Sequence, residues 1–180
     1  MFQICYRIFG NIDELKIITA QEFDADPGIC GEIEISFGSH KIGYCPDGVL
    51  WEDAYGGEWL DYWFESLLDV LSYFKNGNSY VAFSVMERYG VWLEFRKADS
   101  DVIINVTDNK QELERALFIT EVYDGFQYAE PLNTKVSYRQ FGAEILAAAK
   151  RFVKDIDDLN SELRNTVRMK KILGCIKQFM

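Results

Sequence analysis

His40 is the only histidine in the chain, and this narrows the available chemistry at once. A zinc centre with several imidazole ligands cannot be built, and Cys5, Cys30, Cys45 and Cys175 offer no Cys-x-x-Cys pair in its place. A Ser-His-Asp or Cys-His nucleophilic arrangement would have to run through His40, which falls in the expected turn of a hairpin. Carboxylates are more plentiful. Glu52, Asp53 and Glu58 lie close to Trp51 and Trp59. That composition suits a sugar site, where one carboxyl protonates the leaving oxygen and another acts as base or nucleophile. An acid-dependent hydrolase using paired carboxylates is therefore one reading. Gly56-Gly57 lacks the Gly-x-x-x-x-Gly-Lys-Ser/Thr pattern of a phosphate cradle, and the acids around it would repel phosphate. Asp24-x-Asp26 opens like a calcium loop, but the bidentate acid of a twelve-residue loop would fall on Ile35. No catalytic residue, cofactor or metal is assigned from these motifs.

The charge distribution says more than the motifs. Net charge is −10. Residues 1–108 carry 19 acids and 7 bases, a net −12, whereas residues 109–180 carry 10 acids and 12 bases, a net +2. From Ile42 to Phe74 there are seven acids (Asp47, Glu52, Asp53, Glu58, Asp61, Glu65 and Asp69) and no Lys, Arg or His. A field of that sign repels nucleic acid and anionic membranes and attracts a basic protein. Trp51, Tyr55, Trp59 and Tyr62 are interleaved with these acids. Aromatic anchors beside complementary charge are the ingredients of a tight protein interface. The candidate partner-binding residues are Trp51, Glu52, Asp53, Tyr55, Glu58, Trp59, Asp61 and Glu65.

The element that must position these side chains is the stretch 57–75. Leu60, Trp63, Phe64, Leu67, Leu68, Leu71 and Phe74 recur at helical spacing, with Glu58, Asp61, Glu65, Asp69 and Ser72 opposite. Burying the seven apolar side chains contributes about 10–20 kcal/mol before chain entropy is set against it, so this amphipathic helix is expected to be the spine of the core. Trp59, Tyr62, Val70 and Tyr73 widen its apolar face on one flank. Before it, Phe2 to Phe9 alternates as a half-buried strand, Leu15 to Thr19 reads as a second strand, and residues 32–44 form a hairpin around Gly38-Ser39. Residues 46–57 form a loop. After it come an antiparallel meander (residues 80–85, 91–96 and 102–106) and a further strand within 116–123. Ser137 and Gln140 have capping-box spacing, Val136 and Phe141 staple spacing, and helical periodicity runs from Phe141 to Leu159. Ser161 is placed to cap another helix through Leu163, Val167 and Ile172.

The expected fold is α+β: an antiparallel sheet of six or seven strands packed by a central amphipathic helix, with C-terminal helices. The expected organisation is one domain over 1–180, with sheet and central helix in 1–123 and C-terminal helices in 137–178. No run approaches eighteen apolar residues and the first residues lack a basic leader, so a cytoplasmic location is expected. The cysteines are read as reduced, mostly buried thiols. Cys30 and Cys45, which flank the hairpin, are the pair placed to approach each other.

Gly31-Glu-Ile-Glu-Ile-Ser-Phe with Ile42-Gly-Tyr, then Trp63-Phe-Glu-Ser-Leu-Leu-Asp-Val-Leu, then Tyr80-Val-Ala-Phe and Trp92-Leu-Glu-Phe form an order of core patterns. It resembles small bacterial immunity-type proteins encoded beside polymorphic or contact-dependent toxins. The likeness covers about residues 30–107 and carries no binding residue with it. It implies an inhibitor that binds and neutralises one cognate protein toxin, a basic one where the toxin is a nuclease. A non-catalytic structural or assembly subunit is the remaining alternative.

Overall fold

The structure, a computed structural model, describes residues 1–25, 28–45, 57–85, 88, 90–109, 117–128 and 133–180. Its elements run β1 (Phe2–Ile8), α1 (Ile12–Leu15), α2 (Ala20–Ala25), β2 (Cys30–Phe37), β3 (His40–Gly43), β4 (Glu58–Trp59) and α3 (Leu60–Lys75). They continue with β5 (Tyr80–Ser84), β6 (Val91–Ala98), β7 (Asp101–Asp108), β8 (Phe118–Ile119), β9 (Gln127–Tyr128), β10 (Thr134–Ser137) and α4 (Tyr138–Leu159). A 3-10 turn (Ser161–Asn165) and α5 (Val167–Gln178) close the chain. The fold is α+β, with antiparallel sheets and packed helices.

One expectation needs correction: the strands make two sheets. A four-stranded sheet has the order β1-β2-β3, with β4 also paired to β2; a six-stranded sheet has the order β10-β7-β6-β5-β8, with β9 on β7. The width of the apolar face of α3 explains the pair. Phe64 meets Tyr6 of the smaller sheet at 5.1 Å, while Trp63 meets Phe83 of the larger sheet at 5.7 Å. Of the flank that exceeds a simple stripe, Trp59 belongs to β4 of the smaller sheet, and Tyr62 and Tyr73 meet the larger one. Tyr62 donates its hydroxyl proton to the Ser84 carbonyl at 2.9 Å, Tyr73 packs on Phe118, and Val70 is fully buried. All seven residues of the expected core stripe are buried. Helix α4 completes the core, with Phe152 stacked on Phe64 at 4.5 Å and Phe141 between Phe2 and Phe95.

The hairpin and the three-strand meander lie where alternation places them. Leu15 to Thr19 does not form a strand. Leu15 ends α1 and residues 16–19 lead into α2, where Thr19 and Glu22 make a reciprocal capping box: the Thr19 amide and hydroxyl donate to the Glu22 carboxylate, and the Glu22 amide donates to Thr19 Oγ1. Ser137 stands at the head of α4 but forms no side-chain cap. The amide of Tyr138 donates to the Ser100 carbonyl instead, while Val136 and Phe141 are both buried as a staple requires. Ser161 is not a cap either. Asn160 caps the 3-10 turn and Thr166 caps α5. Among the described residues no helix is long and apolar enough to cross a membrane.

Candidate functional site

The acids of α3 repeat at four-residue intervals, and α5 meets them with Arg168 and Lys171, one turn apart. Asp61 Oδ2 accepts from Arg168 at 2.6 Å, and Asp61 Oδ1 accepts the Ile29 amide at 3.1 Å. Glu65 accepts from Lys171 at 2.6 Å and lies 3.5 Å from Arg168 Nε, and Asp69 accepts from Lys171 at 3.0 Å. Burial disfavours the Lys171 ammonium, but Glu65 and Asp69 outweigh this and hold its pKa above the usual lysine value. The carboxylates of the stripe read as a partner surface are thus paired within the chain, three acids sharing two cations. Asp61 is 0% exposed and is withdrawn from the surface set; Glu65 keeps an edge in water but is doubly paired. This pairing explains why the first 108 residues are acidic and the rest slightly basic: part of that imbalance is an internal helix–helix contact.

Glu58 and Trp59 stand where β4 pairs with β2, directly before α3. Glu58 is 6% exposed; its carboxylate accepts from Trp63 Nε1 at 2.8 Å and lies 3.6 Å from Arg88. It too leaves the expected surface set, because it neutralises the cation and satisfies the indole of its own fold. Trp59 is 39% exposed and pairs in register with Cys30, on the face that also carries Glu32 and Glu34. A Cβ at Gly28 would lie 1.9 Å from the Trp59 ring, so only glycine leaves room for the indole there. Burial pushes the Glu32 carboxyl above the usual carboxylate range and Glu58 adds to this, against the Gly57 amide and Arg88. Tyr62 is buried against the larger sheet and is no surface anchor. Trp51, Glu52, Asp53 and Tyr55 lie outside the described residues.

The two ends of the segment that holds those four residues are placed. Gly57 leads into β4 on β2, and Cys45 is joined by a disulfide to Cys5 on β1. The expectation of four reduced thiols is therefore corrected, and the pairing is Cys5–Cys45, not Cys30–Cys45. Cys30 and Cys175 are free. Register explains the pairing. Cys5 lies opposite Glu34, and Glu34 opposite Gly43, so the chain leaving β3 has only to fold back over β2 to reach Cys5.

No protein-family model, no curated protein and no solved structure matches this chain. The geometry must carry the functional reading alone. Among the described residues no group of three or more His, Cys, Asp or Glu is arranged to hold a metal ion.

Sequence reasoning missed one polar centre, on the face of the larger sheet turned away from α3. Glu94 is 0% exposed. It accepts from Arg96 at 2.8 Å, from Tyr128 at 3.0 Å and from Asn105 at 2.7 Å. Burial alone would raise its pKa, but the bonds from Arg96 and Asn105 outweigh that and hold the carboxyl below the usual range. Arg96 also lies over the rings of Tyr80 and Tyr128, and Trp92 packs on Phe126 beside it. A carboxylate held charged and fully bonded is not a general acid. This centre fastens β9 and the residues before it onto the sheet. Alternation in β6 places Glu94 and Arg96 on one face, and the signal for their burial is the aromatic run Tyr123, Phe126 and Tyr128 that covers them.

Proposed function

We propose that this chain is an immunity-type protein that binds and neutralises a basic protein toxin. The contact surface in this reading is the outer face of the four-stranded sheet around Trp59, together with Trp51, Glu52, Asp53 and Tyr55. The observation that carries it is the rooting of residues 46–56. This acid- and aromatic-rich segment, with no base, is held at one end by Cys5–Cys45 and at the other by β4 beside the exposed Trp59. A preorganised root lowers the entropy lost on binding, and unpaired carboxylates there would steer a basic partner. The paired acids of α3 belong to stability, not to contact. The test is calorimetry against the protein encoded next to this gene. The proposal expects tight binding that weakens at raised salt and is lost in Trp59→Ala combined with Glu52→Gln and Asp53→Asn. It also expects the neighbour to kill cells when expressed alone and not when co-expressed with this chain. Absence of binding at either salt removes the reading.

A second reading has one observation in its favour. Glu32, pushed upward by burial and by Glu58, neighbours a carboxylate that is held by Trp63 and Arg88. Two carboxyls in contrasting environments are the arrangement of acid-dependent hydrolysis. Turnover of a glycan that disappears in Glu32→Gln, with an acid limb in its pH profile, would favour it over the binding reading.

A further inference from the structure

We propose that the Cys5–Cys45 disulfide is a thiol-exchange site, opened in the folded protein by a low-molecular-weight thiol that enters the cleft beside it. The cleft holds about 480 Å³, and Cys5, Cys45, Gln3, Glu34, Ser36 and Lys41 are among its lining residues. That volume falls in the range that small ligands occupy, roughly 300–1,000 Å³, so a tripeptide-sized thiol fits. The sulfurs lie over the polar face of the smaller sheet because of Gly43. With φ at +83°, and with room for a Cβ denied by the Ile33 carbonyl oxygen 2.0 Å away, this glycine turns the chain back over β2. Cys5 is exposed, and exchange needs an open approach to a sulfur. The other two cysteines differ: Cys175 is buried, and burial lifts the Cys30 thiol above its usual pKa, which makes it a poor thiolate.

Lys41 sets the class of thiol. Its ammonium is exposed at the cleft and lies 2.8 Å from Glu34, whose carboxylate also accepts from Ser36. A carboxylate-bearing peptide thiol can share that ammonium. In the first step the thiolate attacks the exposed Cys5 sulfur. The S–S bond breaks, a mixed disulfide forms on Cys5, and Cys45 leaves as a thiolate that takes a proton from water. A second molecule of the thiol then attacks the mixed disulfide. It releases Cys5 as a thiol and leaves the small thiol as its own disulfide, so two electrons pass from two small thiols to one protein disulfide. The result frees Cys45 from β1, while the Tyr44 amide still donates to the Ile33 carbonyl on β2.

The experiment treats the oxidised, full-length protein with reduced glutathione at neutral pH, quenches with an alkylating agent and maps the cysteines by mass spectrometry, with circular dichroism followed alongside. The expected result is alkylation at Cys5 and Cys45 that appears only after glutathione treatment, labelling of the free Cys30 and Cys175 that glutathione does not change, and an unchanged helical signal. Opening only in denaturant, or only at the rate of global unfolding, would overturn the proposal. In Lys41→Gln, exchange with glutathione should slow about threefold, and exchange with 2-mercaptoethanol, whose thiolate carries no carboxylate charge beside it, should slow less. An equal effect on both thiols would overturn the role given to Lys41. The exchange does not depend on any protein partner, so its failure and a failure of toxin binding are separate results.

Discussion

At the scale of single residues, the carboxylates sort by what surrounds them. Glu94 and Asp61 are fully buried, and each has partners for both oxygens. Glu94→Gln removes the charge that Arg96 and Asn105 are arranged to meet, and should lower stability by about 2–4 kcal/mol in urea unfolding. The pH dependence has a definite sign. The folded pKa of Glu94 is depressed, so its contribution is fully present above the unfolded value near pH 4.3 and is lost as pH falls through the folded value. Acid titration of Glu94→Gln should therefore lack that part of the stability loss. Asp61→Ala leaves the Ile29 amide without a partner and Arg168 with Glu65 alone. The expected cost is about 2–4 kcal/mol, below the largest values for broken buried pairs because the Arg168 side chain remains 29% exposed.

At the scale of elements, the helix and the hairpin were legible because their periods are written in large side chains. Leu60 to Phe74 is buried along its expected stripe, and Ile33, Ile35 and Phe37 line the core face of β2. What local pattern could not reveal was which element each polar face would meet. The acids of α3 read as a solvent surface because Arg168 and Lys171 lie 102 to 107 residues from their partners. The burial of Glu94 was not legible because β9, which covers it, is two residues long. The Thr19–Glu22 capping box was legible in the sequence, but alternating Leu15, Ile17 and Thr19 suggested a strand over the same residues. The disulfide was hidden because it depends on strand register and on one left-handed glycine. Gly43→Ala tests that turn. A side chain at φ +83°, crowded against the Ile33 carbonyl, should lower stability by about 2 kcal/mol or more, and should slow formation of Cys5–Cys45 during oxidative refolding. Unchanged refolding in Gly43→Ala would contradict the role assigned to the turn.

At the scale of the molecule, one hydrophobic core joins both sheets, α3, α4 and α5. The chain then divides its acids into those consumed by the fold and those left over. Asp61, Glu65 and Asp69 clamp α5, and Glu58 is tied to Trp63 and Arg88. Glu52 and Asp53 lie outside the described residues, on the segment between Cys45 and Gly57, and are the acids the proposed contact would use. Neutralising the first group should reduce stability with little change in the salt dependence of binding. Neutralising the second should reduce association rate and salt dependence with little change in stability.

The most direct test is calorimetric titration of this chain with the protein encoded beside its gene, at low and at raised salt, in three forms: unchanged, Glu52→Gln/Asp53→Asn/Trp59→Ala, and Glu65→Gln/Asp69→Asn. The account predicts tight, salt-weakened binding for the unchanged chain, its loss in the triple variant, and its retention by the folded fraction of the α3 variant. Binding that survives the triple variant and fails in the folded α3 variant, or no binding at either salt, would contradict it.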